Sequence, residues 1–131
     1  MCVADFKGMN LLAVDDNIVN LEITKAIFEA RNAKVDTEQI GDNAIEKLKM
    51  SAENYYSAVL VDLEMPYKDG FEIIKEIREL ERADLKNIKI IIMSADDVFV
   101  DHNKIEQSGA DGFLAKPVEA ETVYNILNQK Q

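Results

Sequence analysis

The chain has 131 residues, a length that suits one domain with a single core and leaves no room for a second. Its hydrophobic fraction of 47% and charged fraction of 31% are those of an ordinary globular protein. The formal net charge of −10, from 25 acidic and 15 basic residues, argues against non-specific nucleic-acid binding and against attachment to anionic membranes. No apolar run is long enough to span a bilayer, and residues 1–10 carry no signal-peptide core. The single cysteine, Cys2, cannot close an internal disulfide, so reducing, cytoplasmic conditions are expected.

Residues 1–9 read as a ragged lead-in or linker, and the domain proper is expected over 10–131. Residues 11–14 (LLAV) form a short continuous apolar run, the pattern of a strand buried on both faces. It ends in Asp15, Asp16 and Asn17. A helix start needs one such side chain as a cap, and three in a row exceed the requirement. Residues 18–31 read as a helix with two apolar stripes. Val19, Ile23, Ala26, Ile27 and Ala30 follow helical spacing and are expected to face the core. Ile18, Leu21 and Phe28 form the second stripe, which either packs on a neighbouring element or docks a partner helix.

Residues 34–38 are brief and polar, as suits a strand at a sheet edge. Asp42 can start a helix that turns Ala44, Ile45 and Leu48 inward. Residues 58–61 (AVLV) are the most apolar strand and end at Asp62; Pro66 and Asp69-Gly70 then mark a turn. A helix is expected over 71–82 with Phe71, Ile74 and Ile77 on its apolar side. Residues 89–93 (KIIIM) are a further buried strand, followed by Ser94. A helix over 97–107 is stopped by Gly109. Residues 112–115 form the last strand, ahead of Lys116-Pro117, and a final helix over 118–128 turns Val123, Ile126 and Leu127 inward.

Five strands alternating with five helices imply right-handed βαβ crossovers and a parallel sheet covered on both faces. The doubly wound order 2-1-3-4-5 places the three most apolar strands in the middle. In that order Asp15, Asp16, Asp62, Ser94 and Lys116 all fall at strand carboxyl ends and converge on one crevice. Three neighbouring carboxylates repel unless a cation compensates, and an all-oxygen donor set favours a hard cation such as Mg²⁺. Asp62 could then attack phosphorus as a carboxylate nucleophile, with Mg²⁺ and Lys116 neutralising charge on the transferring oxygens and Ser94 donating a hydrogen bond.

The sequence resembles the receiver domains of response regulators, the phosphoryl-accepting half of two-component signalling. The resemblance runs from about residue 10 to 128. It is carried by residues 11–17 (LLAVDDN), 61–66 (VDLEMP), 69–70 (DG), 93–95 (MSA) and 109–117 (GADGFLAKP). It implies a single (βα)5 flavodoxin-like domain with Asp62 as phosphoacceptor. Asp15, Asp16 and Asp62 would bind Mg²⁺ with the backbone carbonyl of Glu64, Ser94 would hydrogen-bond the phosphoryl group, and Lys116 would pair with it. Phe113 would be the aromatic switch that follows Ser94. The Lys116-Pro117 bond is expected to be cis. The output surface would be the fourth helix, fifth strand and fifth helix.

Phe6-Lys7-Gly8 and residues 15–20 (DDNIVN) are similar to the receiver modules of hybrid histidine kinases. That likeness implies a sensor histidine kinase or histidine phosphotransfer protein as partner; a stand-alone regulator stays open. The implied domain signals rather than turns over a substrate, and is expected as a monomer or a phosphorylation-dependent dimer. Three positions depart from the hybrid pattern or vary within it: Lys68 adds a cation near the site, and Glu64 and Asp96 add negative charge at its mouth. Two rival readings share the chemistry. Phosphatases of the haloacid dehalogenase type carry their nucleophile on the first motif, whereas here the acid pair comes first. Non-phosphorylated binding modules on this fold usually lose one of the acidic or Lys positions, and here all are present.

Overall fold

A computed structural model describes residues 5–63, 65, 68–94, 102–115 and 119–127. Along the chain come β1 (Asn10–Val14), α1 (Ile18–Glu29), β2 (Lys34–Glu38), α2 (Gly41–Met50), β3 (Ala58–Asp62) and α3 (Gly70–Arg78). Then follow α4 (Ala83–Lys86), β4 (Lys89–Ser94), α5 (His102–Ser108), β5 (Gly112–Ala115) and α6 (Ala120–Leu127). The strands form one parallel sheet in the order β2-β1-β3-β4-β5, the doubly wound order expected from the sequence. The polar strand β2 is indeed at an edge.

Strand pleating divides the core into two layers. Leu12 and Val14 of β1, Val59 and Val61 of β3, and Ile90 and Ile92 of β4 point to the side covered by α2, α3 and α5. Leu11, Ala13, Ala58, Leu60, Ile91 and Met93 point to the side covered by α1 and α6. A strand buried on both faces must be apolar at every position, which is why β1, β3 and β4 read as unbroken runs.

The lead-in is not ragged from Asp5 onward. Phe6 is fully buried, edge-on to Phe28 of α1 at 5.2 Å and to Tyr124 of α6 at 5.4 Å between ring centroids. Its amide donates to the Arg31 carbonyl at 2.7 Å, and Lys34 N–H donates to the Met9 carbonyl at 3.0 Å. Phe6 thus fills the gap between two helices that the sheet alone cannot close.

Helix α1 is rotated from the expected orientation. Leu21 and Phe28 are buried with Thr24 between them, while Val19 is 59% and Ile23 48% exposed. Both stripes obey helical spacing. Phe28 decides the choice, because its ring is fully buried edge-on to the ring of Phe6.

Helix α3 ends at Arg78, four residues before the expected boundary, and the short helix α4 follows. The break lets Leu85 reach the core, at 2% exposure, while Arg82 Nη1 donates to the Lys49 and Ser51 carbonyls at the end of α2. On α3, Ile73 joins Ile74 and Ile77 in the core and Phe71 is only partly buried. On α6, Ala120 and Val123 are buried while Ile126 and Leu127 pack at the periphery. Gly109 follows α5 at φ +93°, the left-handed position that ends a helix. The expected start of that helix, before His102, lies outside the described residues.

Candidate functional site

Strand register brings the sequence-predicted carboxylates together. Val14 is paired with Val61, so Asp15 leaves β1 level with Asp62 at the end of β3. Asp62 is paired with Met93, which sets Ser94 one residue further along β4. Asp15, Asp62 and Ser94 are buried, at 1%, 5% and 1% exposure, while Asp16 is exposed. One carboxylate oxygen from each of Asp15, Asp16 and Asp62 lies within 4.8 Å of the others.

Local structure frees these acids from helix duty. Asn17 alone caps α1, accepting from Val19 N–H at 2.9 Å and Asn20 N–H at 3.2 Å. Asp15 N–H donates to the Glu38 carbonyl at 3.1 Å, and Asp15 Oδ1 accepts from Asn17 N–H at 3.0 Å. These bonds hold Asp15 between β1 and the end of β2. Gln39 Nε2 donates to the Asp16 carbonyl at 3.3 Å, a contact with no sequence signal.

The wall beside Asp62 depends on a glycine. Leu63 N–H donates to the Met93 carbonyl at 2.9 Å, and its own carbonyl accepts from Gly70 N–H at 3.0 Å. A Cβ at Gly70 would lie 2.8 Å from the Asp62 carbonyl oxygen and 3.0 Å from Leu63 Cα, so only glycine lets α3 start this close to the strand end. Asp69 then caps α3 in a reciprocal box with Glu72.

Phe113 lies on β5, paired with Ile92 and partly buried against the α3–α5 side of the core. Lys68, expected as an extra cation near the site, is tied up: it pairs with Asp42 of α2 at 2.6 Å and with Glu76 of α3. Those two hydrogen bonds, Asp42 first, raise its pKa. Lys116, Glu64, Pro66, Asp96 and the Lys116-Pro117 bond lie outside the described residues. The expected docking stripe is corrected, because Leu21 and Phe28 are core residues; the apolar surface that α1 exposes is Ile18, Val19 and Ile23.

Three oxygen donors on strand ends, two of them buried, fit a hard divalent cation and offer nothing to a soft one. The arrangement sets a buried carboxylate on a rigid strand end, two further carboxylates beside it and a buried hydroxyl one strand away.

A family model described as the response regulator receiver domain matches residues 11–128, and the chain belongs to that family. Hybrid signal transduction histidine kinase L of Dictyostelium discoideum is 31% identical over 120 residues, covering 91% of this chain but 7% of that protein. Two-component response regulator ORR5 of Oryza sativa subsp. japonica is 32% identical over 120 residues, covering 92% of this chain and 87% of that one. The chain therefore spans a small part of that histidine kinase and most of that response regulator. Among solved structures, the receiver domain of sensor histidine kinase PA1611 from Pseudomonas aeruginosa PAO1 is 28% identical, with a TM-score of 0.78 and coverage of 92% and 94%. That structure has a magnesium ion coordinated in its active-site cleft. Chemotaxis response regulator CheY4 of Vibrio cholerae is 26% identical, with a TM-score of 0.75 and coverage of 91% and 95%.

Proposed function

We propose that this chain is the phosphoryl acceptor of a two-component phosphorelay, and that Asp62 takes the phosphoryl group from a phosphohistidine. The buried Asp62, with Asp15 and Asp16 within 4.8 Å on the adjoining strand end, is the observation that carries the reading. An Asp62 carboxylate oxygen forms the new O–P bond as the P–N bond breaks, and the imidazole nitrogen departs with the bonding pair. Asp15, Asp16 and Asp62 would hold Mg²⁺, with the Glu64 carbonyl as a further ligand. When bound, that ion supplies charge neutralisation on the transferring oxygens. Asp62 gains orientation from its buried strand end, which brings the nucleophile to phosphorus without a search. Ser94 donates to the phosphoryl oxygens and Lys116 pairs with them. Phe113 follows Ser94, and the change reads out on α5, β5 and α6.

The donor, a sensor histidine kinase or histidine phosphotransfer protein, docks on the exposed Ile18, Val19 and Ile23 of α1, next to the site. The exposed apolar stripe beside the acidic cluster supports this placement. We assign the reaction to the cytoplasm, which one cysteine and a site requiring Mg²⁺ suit; among the described residues no helix is long and apolar enough to cross a membrane.

Intact mass after incubation with Mg²⁺ and acetyl phosphate tests the reading. One added phosphoryl group, about 80 Da for the acyl phosphate formed by such a nucleophile, is expected in the parent and not in Asp62→Ala. An adduct retained by Asp62→Ala would overturn the assignment, as would catalytic turnover of a phosphomonoester.

A further inference from the structure

We infer that Lys68 is a positioning residue for Asp62, pinning the turn between β3 and α3 to two helices so that the strand end keeps its geometry. The inference rests on the phosphoacceptor reading above. The turn leaves the sheet at Asp62 and re-enters regular structure at Gly70. Its ends are already fixed by Leu63, which donates to the Met93 carbonyl at 2.9 Å and accepts from Gly70 at 3.0 Å. Lys68 reaches sideways from the turn: Nζ bonds Asp42 Oδ1 in the first turn of α2 at 2.6 Å and also bonds Glu76 Oε2 on α3.

The side chain is seated as well as paired. A Cβ at Gly41 would lie 3.3 Å from Lys68 Cδ and 2.9 Å from Ile73 Cδ1, so the glycine that opens α2 leaves room for the lysine stem against α3. The Lys68 side chain is 22% exposed, against 74% for Asp42 and 40% for Glu76. Pairs this close to water add little to global stability. Their effect is local: two charge-assisted bonds tie Lys68 to α2 and α3 at once. Lys68 stands two residues before Gly70, whose N–H bonds the carbonyl of Leu63 next to Asp62, so the tether bears on the strand end that carries the cluster.

Charge and geometry predict opposite signs. Lys68→Met keeps most of the stem's packing, removes both bonds, and removes one positive charge six residues after Asp62 in the chain. If Lys68 acted only through its field, the variant would bind Mg²⁺ more tightly, because the site becomes more negative. If it positions the turn, Mg²⁺ binding weakens, by about tenfold, the lower end of what loss of an orienting contact costs a metal site.

The experiment is Mg²⁺ titration by calorimetry of the parent chain, Lys68→Met and Lys68→Arg, with amide hydrogen exchange of the metal-free proteins. Weaker Mg²⁺ binding in Lys68→Met, faster exchange confined to Leu63 and Gly70, and parent-like behaviour of Lys68→Arg support the inference. Unchanged or tighter Mg²⁺ binding in Lys68→Met overturns it, and so does unchanged exchange at Gly70. If the parent itself binds no Mg²⁺, the phosphoacceptor reading fails and the positioning role falls with it. The exchange data then report separately whether the turn is tethered.

Discussion

Replacing Asp62 with Asn should stabilise the metal-free protein while abolishing the phosphoryl acceptance proposed for it. Three carboxylate oxygens within 4.8 Å of one another repel. At that separation each pair costs about 3.5 kcal/mol at an effective dielectric of 20 and about 0.9 kcal/mol in bulk water. The Asp15–Asp62 pair is buried and takes the larger figure; Asp16 is exposed and takes the smaller. Asp62 therefore carries about 4 kcal/mol of repulsion, of which we discount half for screening and for the other contacts of Asp62 that an amide makes less well. A gain of about 2 kcal/mol corresponds to about 7 °C in Tm for a domain of this size. Added Mg²⁺ reverses the order. At a hundredfold excess over its dissociation constant, Mg²⁺ stabilises the parent by about 2.7 kcal/mol and Asp62→Asn by much less. Thermal unfolding in EDTA and in Mg²⁺ measures both effects. A variant no more stable than the parent in EDTA, with an equal Mg²⁺ response, would refute the account of a strained cluster that the cation relieves.

Phe6→Ala should cost about 3 kcal/mol or more, as for a fully buried aromatic, and lower Tm by about 10 °C; a loss below about 1 kcal/mol in urea unfolding would remove Phe6 from the core. The two stripes of α1 should separate cleanly. Ile23→Asp leaves stability within about 0.5 kcal/mol and acetyl phosphate labelling unchanged, but slows transfer from a phosphotransfer protein, whereas Leu21→Ala destabilises by about 2–5 kcal/mol. Equal transfer rates for Ile23→Asp and parent would move the docking face elsewhere. Asp84 is held at about 2, below its ordinary 3.8, first by the Arg82 guanidinium and then by Asn54 N–H. A depressed carboxylate stabilises the fold above its unfolded pKa, so the advantage of parent over Asp84→Asn is full at neutral pH. It should fade as pH falls from about 4 toward about 2. Urea midpoints at pH 7, 4 and 2.5 would show a constant gap if this pairing were unimportant.

Most of the fold was legible because short β-branched apolar runs bounded by acids and turn residues suit strands buried on both faces better than helices. The runs at 11–14, 58–61 and 89–93 placed β1, β3 and β4 within one residue, and their polar neighbour at 34–38 declared itself an edge. The acids were legible for a related reason: an Asp at the end of an apolar strand has nowhere to go but the rim. What periodicity could not decide was orientation. Two stripes of α1 satisfied the same helical spacing, and the choice fell to Phe28 because the ring of Phe6, itself edge-on to Tyr124, meets it across the layer. No pattern in nine lead-in residues announces that one aromatic will be buried.

The sequence by itself therefore determined which residues meet at the sheet rim, since strand order and pleat follow from hydrophobic runs and chirality alone. Only tertiary structure decided which charges are committed elsewhere. Lys68 looked like a cation for the site and is instead bonded to Asp42 and Glu76, residues 26 positions before it and 8 after it in the chain. Ion pairs between separate elements depend on distances that local sequence does not encode, and the docking of α2 on α3 sets those distances here.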